Sequence, residues 1–146
     1  MINYIQFDIE RFLRDARNWA EELKGLQQEL DSITEISGTT DNPGHGSDIS
    51  KPVERTAIDR DSVMSRMGQL KCYIDALNAG MNGLSEHDRE LIIGFFFGDK
   101  NMFAFVEAWC RAHNSNRQYC YRDRRMALDH LRIRVVNYMR LHGYDV

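Results

Sequence analysis

The chain has 146 residues, of which 42% are hydrophobic and 28% charged, with 7 Phe, 6 Tyr and 2 Trp to fill a core and only 2 Pro. It therefore reads as one domain, or a small domain with an appendage, and collagenous, mucin-like and wholly disordered classes are excluded. The net charge of −3 divides unevenly: residues 1–50 carry 4 basic and 10 acidic side chains, whereas between Arg111 and Arg140 eight arginines stand against Asp123 and Asp129 alone. An acidic front and a basic rear fit a protein with one polyanion-binding end.

The opening stretch, MINYIQFDIERFLRD, places acids and arginines where a signal peptide needs a basic start and an unbroken apolar run. A cytoplasmic protein is expected, without membrane association, because the longest apolar run, Leu91 to Phe97, is broken at Gly94 and is far short of the roughly 20 residues that a bilayer requires. Cys72, Cys110 and Cys120 are odd in number and widely spaced, which favours reduced thiols over a disulfide framework.

Ile5, Ile9, Phe12, Ala16, Trp19, Leu23, Leu26, Leu30 and Ile33 recur at spacings of four and three, the seam of one long heptad helix. Gly25 is a weak point within it. Residues 37–52, SGTTDNPGHGSDISKP, read as a mobile linker. A second heptad helix starts at Val53 or Ile58 and runs through Val63, Met67, Leu70, Ile74, Leu77, Met81 and Leu84. Narrow apolar stripes of this kind must be buried on each other or on another subunit. An antiparallel hairpin is the simplest arrangement; homo-oligomeric pairing is the alternative, and the pattern leaves both open.

Gly80 and Gly83 mark the exit from this region, so the expected domains are a helical hairpin over residues 1–83 and a three-helix unit over 84–146. Ser85 and Asp88 form a capping box for a helix through Leu91, Ile92, Phe95 and Phe96, broken at Gly98, Asp99 and Asn101. A short helix from Met102 to Ala112 is expected to bury Phe103, Val106, Ala108 or Trp109, and Cys110. His113 and Asn114 form a turn, asparagine being tolerant of the left-handed conformation. Ser115 and Gln118 read as a second capping box opening a helix to about His142. No segment alternates with period two, so the fold class expected is all-α: a coiled-coil-like N-terminal hairpin followed by a helix-turn-helix domain.

A short helix, a tight turn and a basic helix with polar first turns describe a DNA-reading helix-turn-helix. In the last helix Cys120, Ala127, Leu131 and Tyr138 fall on the side expected to face the core, and Gln118, Arg122 and Arg125 fall opposite. Such a stripe fits a major groove, where arginine pairs with guanine and glutamine with adenine. Asn116 and Arg117 lie at the helix N-terminus, where amides and dipole favour phosphate, and Tyr121, Arg124 and Arg132 flank the stripe. The competing reading is an arginine-rich face that merely solvates a terminal helix.

The segments LSEHDRELIIGFFFG, FVEAWCRAHNSN and YRDRRMAL, with Leu131 beyond, resemble in their order the C-terminal domain of phage late-gene transcription activators of the ArpU and RinA type. That domain is similar to the fourth, promoter-binding region of sigma factors. The resemblance rests on Tyr121-Arg122 and Ala127-Leu128 in the last helix, and extends to the long first helix, the glycine-rich break and the KPVER-like restart. Asn114 departs from the usual glycine of such turns and Cys120 from the usual aliphatic residue. The resemblance implies binding of double-stranded DNA upstream of phage late genes in a bacterial host, with contact to RNA polymerase. Two other functions remain in play: a small terminase-like packaging component, whose known examples usually put the DNA-binding unit first, and a helical adaptor that binds only protein.

Neither an enzyme nor a cofactor is expected. Cys110 and His113, with Cys120 and His130 beyond, lack the close pairs of a structural zinc site, and no metal is expected there. Gly44-His45-Gly46 lacks the strand and third glycine of a dinucleotide motif, and no Walker lysine, HExxH or GxSxG occurs. Asp59 with Asp61 and Glu86 with Asp88 lie near helix starts, where carboxylates are stabilising without any catalytic task.

Overall fold

A computed structural model describes the backbone of residues 7–39 and 50–144, and the side chains of 7–33 and 59–144. All the regular structure among the described residues is helical, and the fold is all-α: α1 (Ile9–Thr39), α2 (Ser50–Asn82), α3 (Glu86–Ile92), α4 (Met102–Ala112) and α5 (Arg117–Leu141), with a π-helical turn Ile93–Phe97 extending α3. Ile5 and residues 40–49 of the expected linker lie outside the described residues. Helix α2 begins at Ser50, ahead of the expected start at Val53 or Ile58.

The chain packs as two compact units, Met1–Arg17 with Tyr73–Val146, and Asn18–Cys72. The larger unit thus takes in the first turns of α1 and the last third of α2, in addition to residues 84–146. In the smaller unit Trp19, Val63 and Leu70 are buried, and the Arg66 Nε donates to Glu22 Oε1 at 2.8 Å. Leu23, Leu26, Leu30 and Ile33 of the expected seam are only half-buried.

In the larger unit Ile9, Leu13, Ala76, Leu91, Ile92, Val106, Cys120, Ala127, Leu131, Val135, Val136 and Met139 are almost fully enclosed. Leu13, off the expected seam, joins Phe12 inside because this end of α1 is covered over a wider arc than a two-helix seam provides. The ring of Phe12 meets Tyr73 edge-on at 5.7 Å. Gly80 makes the approach of α2 to α5 possible: a Cβ there would stand 2.9 Å from Leu131 Cδ1 and 3.2 Å from Val135 Cγ2. Arg89 joins α3 to the end of α2, donating from Nε to the Met81 carbonyl at 3.2 Å and from Nη2 to the Leu84 carbonyl at 3.1 Å.

Local caps fix the shorter helices. Ser85 caps α3 by accepting from the Asp88 amide at 3.2 Å, as its spacing predicts. The Asp88 carboxylate turns to His130 instead, meeting Nδ1 at 2.7 Å. Asn101 caps α4, accepting from the Ala104 amide at 2.8 Å. In the π-helical turn the Phe105 ring occupies the space a Cβ on Gly94 would need, and Phe95 meets Phe105 edge-on at 5.0 Å.

Two expectations for α4, burial of Phe103 and of Cys110, are corrected: Cys110 is only half-buried. Phe103 is 58% exposed, whereas Val106 is buried and, of the alternatives Ala108 and Trp109, it is Trp109 that is buried. Phe103 shares the stripe of Val106 but lies one turn nearer the helix start, past the edge of the core.

Candidate nucleic-acid interface

Helix α4 ends and α5 begins within four residues, 113–116. Asn114 adopts a left-handed conformation, φ 48°, and the amides of Asn114 and Ser115 donate to the Arg111 and Cys110 carbonyls at 3.4 and 2.9 Å. These are the two bonds of a Schellman stop, with asparagine in the position glycine usually holds. The cap of α5 is Asn116, not Ser115: its Oδ1 accepts from the Tyr119 amide at 3.1 Å, because Asn116 is the last extended residue before the helix.

Helix α5 then buries Cys120, Ala127, Leu128, Leu131, Val135, Val136 and Met139. Tyr138, expected on that side, is only half-buried. Burial pushes the Cys120 thiol up to about 11, with Cys110 and Asp123 adding in the same direction, so it stays protonated at neutral pH.

Opposite this face Gln118, Arg122 and Arg125 are exposed together, along with Asn116, Arg117 and Tyr121. Two of the exposed arginines rest on exposed rings. The Arg117 guanidinium lies 4.8 Å from the Phe103 ring centre and that of Arg122 lies 4.6 Å from Tyr119. Arg125 has no hydrogen bond or ion pair with another described residue. The Tyr121 ring stands 6.0 Å from Phe95.

Arg124 and Arg132 are held differently. Arg124 lies over Phe95 and Phe96 at 5.0 and 5.3 Å and pairs with Glu10 at 3.3 Å, its Nε buried without a hydrogen-bond partner among the described residues. Arg132 donates from Nε to the Phe7 carbonyl at 3.1 Å and from Nη1 to Asp129 at 2.7 Å. Both therefore tie α5 to the start of α1, and the structure does not bring them to the exposed stripe.

Sequence reasoning missed Asp123 and its partner. One carboxylate oxygen of Asp123 meets His87 Nε2 at 2.9 Å, and the other accepts from Arg122 Nε and Nη2 at 3.3 and 3.2 Å. Burial pushes this carboxyl up, but the hydrogen bonds and charges of His87 and Arg122 outweigh that and hold it below its ordinary value. The His87 ring in turn contacts Trp109 at 5.9 Å and His113 at 5.5 Å. The Tyr119 to Arg122 spacing of three was a legible signal for the ring pair; His87 and Asp123 are 36 residues apart and gave none.

The candidate zinc residues are not brought together: His130 pairs with Asp88 and His113 lies against Trp109 and Glu90. Among the described residues no three His, Cys, Asp or Glu side chains converge as a metal would require. Nor is any described helix long and apolar enough to cross a membrane. No protein-family model, curated protein or solved structure matches the chain.

Proposed function

We propose that this protein is a sequence-specific DNA-binding transcription regulator whose α5 enters the major groove through Gln118, Arg122 and Arg125. The observation that carries the reading is the exposed polar stripe on α5, directly after a tight turn from α4 and opposite the helix's buried face. Between Asn116 and Arg125 the one acid, Asp123, is mostly covered; the exposed Asp129 follows one turn beyond Arg125 and pairs with Arg132. Arginine at such positions pairs bidentately with guanine, and glutamine with adenine. Arg117 and the Asn116 cap lie at the N-terminus of α5, suited to a neighbouring phosphate.

The resemblance to late-gene activators of the ArpU and RinA type narrows the proposal to activation of phage late genes in a bacterial cytoplasm, with RNA polymerase as a second partner. Pairing of α1 and α2 as a hairpin, supported locally by the Glu22–Arg66 ion pair, is part of the same reading. The test is nuclease footprinting of the purified protein across the DNA of its own genome. A discrete promoter-proximal footprint is the expected result. Protection confined to a packaging site would favour a small terminase-like component, and no protection at any concentration would favour a protein-binding adaptor.

A further inference from the structure

A guanidinium that reads a base must be held in one plane, since each freely rotating bond lowers the fraction of molecules ready to bind. Arg122 is held on two sides. The Tyr119 ring lies beneath its guanidinium at 4.6 Å, and Asp123 Oδ1 accepts from both Nε and Nη2. The remaining guanidinium nitrogen, Nη1, has no protein acceptor among the described residues.

Asp123 is itself fixed from another helix. Its second oxygen is occupied by His87 Nε2 of α3, and the His87 ring is packed against Trp109 of α4. A neighbouring carboxylate on a free helix face would swing with its own rotamer; this one is tied to the core of the unit. Arg125 on the same face has no such support.

We propose that Tyr119, Asp123 and His87 are specificity-determining positioning residues, which lock the Arg122 guanidinium in a base-reading orientation through a chain of contacts running from α3 to the exposed face of α5. The proposal rests on the DNA-binding reading above and adds an unequal division of labour: Arg122, preorganised, discriminates between bases more sharply than the unsupported Arg125. The Tyr119 ring is on the surface, 46% of that residue facing solvent.

The test uses the full chain and a pool of duplexes with a randomised central region, enriched by repeated binding and sequenced. The wild type is expected to enrich a motif with one strongly preferred guanine, identified as the Arg122 base because Arg122→Ala abolishes the preference there alone. Tyr119→Leu is expected to weaken that single preference about tenfold, within the range a bidentate contact supplies, while leaving the other motif positions unchanged. Tyr119→Phe restores it, since the ring and not the hydroxyl supports the guanidinium. Asp123→Ala and His87→Leu are expected to act at the same base, with melting curves recorded alongside; Tyr119 lies on the surface and keeps the test decisive if these two variants unfold. An enriched wild-type motif that Tyr119→Leu leaves unaltered at every position overturns this inference and leaves the DNA-binding reading standing. A wild type that enriches no motif overturns both.

Discussion

Side chains of one type do different work along α5, and the arginines can be separated by experiment. Arg125 is exposed and unpaired among the described residues, so Arg125→Ala is expected to leave the melting temperature unchanged and to cost about 1 to 3 kcal/mol in specific DNA binding. Equal losses on specific and random duplexes would assign it to phosphate instead. Arg124→Ala should do the reverse at the level of folding. It removes the half-buried pair with Glu10 and the stacking on Phe95 and Phe96, at a cost of roughly 1 to 2 kcal/mol in chemical denaturation. Asp123 supplies a pH signature. Its folded-state pKa is depressed, so its contribution is fully present above the ordinary carboxylate value, about 4, and is lost as pH falls through the folded value. The stability difference between wild type and Asp123→Asn should therefore shrink as pH falls below about pH 4. A difference that grew as pH fell below about pH 4 would reverse the assigned direction.

At the scale of the element, the α4–α5 connection depends on one left-handed residue. Asn114 satisfies the Schellman stop at φ 48° and, being asparagine, does so with less strain than most residues. Asn114→Val, β-branched, is expected to lower stability by about 1 to 2 kcal/mol, whereas Asn114→Gly stays near wild type, as read by thermal melting. The turn residues themselves carry the local information. Asn114 was legible as a turn because its propensity and its place between two apolar periods agree. The choice of Asn116 over Ser115 as cap was not, because both residues can accept from an amide two or three positions on, and backbone geometry alone selects between them. The same limit applies to Phe103. Its spacing from Val106 marks it as core, yet the core ends before reaching it, and Arg117 covers its ring instead.

For the whole molecule, the division into units changes what a fragment should do. Residues 84–146 contain the stripe on α5, but the unit that packs around them also includes Met1–Arg17 and the end of α2 from Tyr73. Removing these segments strips Ile9, Leu13 and Ala76 from the core and deletes the Glu10 and Phe7 partners of Arg124 and Arg132. A fragment of residues 84–146 is therefore expected to lose the cooperative thermal transition of the full chain, seen by circular dichroism, and to bind DNA weakly. A fragment that melts at the full-length temperature would show that α1 and α2 add nothing to this unit. Within Asn18–Cys72, Leu70 is fully buried, so Leu70→Lys should unfold the local pairing and raise protease sensitivity near Arg66 and Lys71.

Features governed by short-range rules were legible in the residues alone: helical periodicity, the all-α class, the Ser85 cap, the bounds of α4, the turn at Asn114, and the opposition of Cys120, Ala127 and Leu131 to Gln118, Arg122 and Arg125 on α5. Each follows from residues within a few positions of one another, where helix geometry fixes who faces whom. Which arginines of α5 are tied down depends instead on long-range packing. Arg124 and Arg132 are drawn to Glu10 and Phe7, more than a hundred residues away in sequence, and Asp123 to His87 across 36. A guanidinium satisfies its charge wherever an acceptor lies within reach, and that reach is set by how helices pack, which no local spacing records.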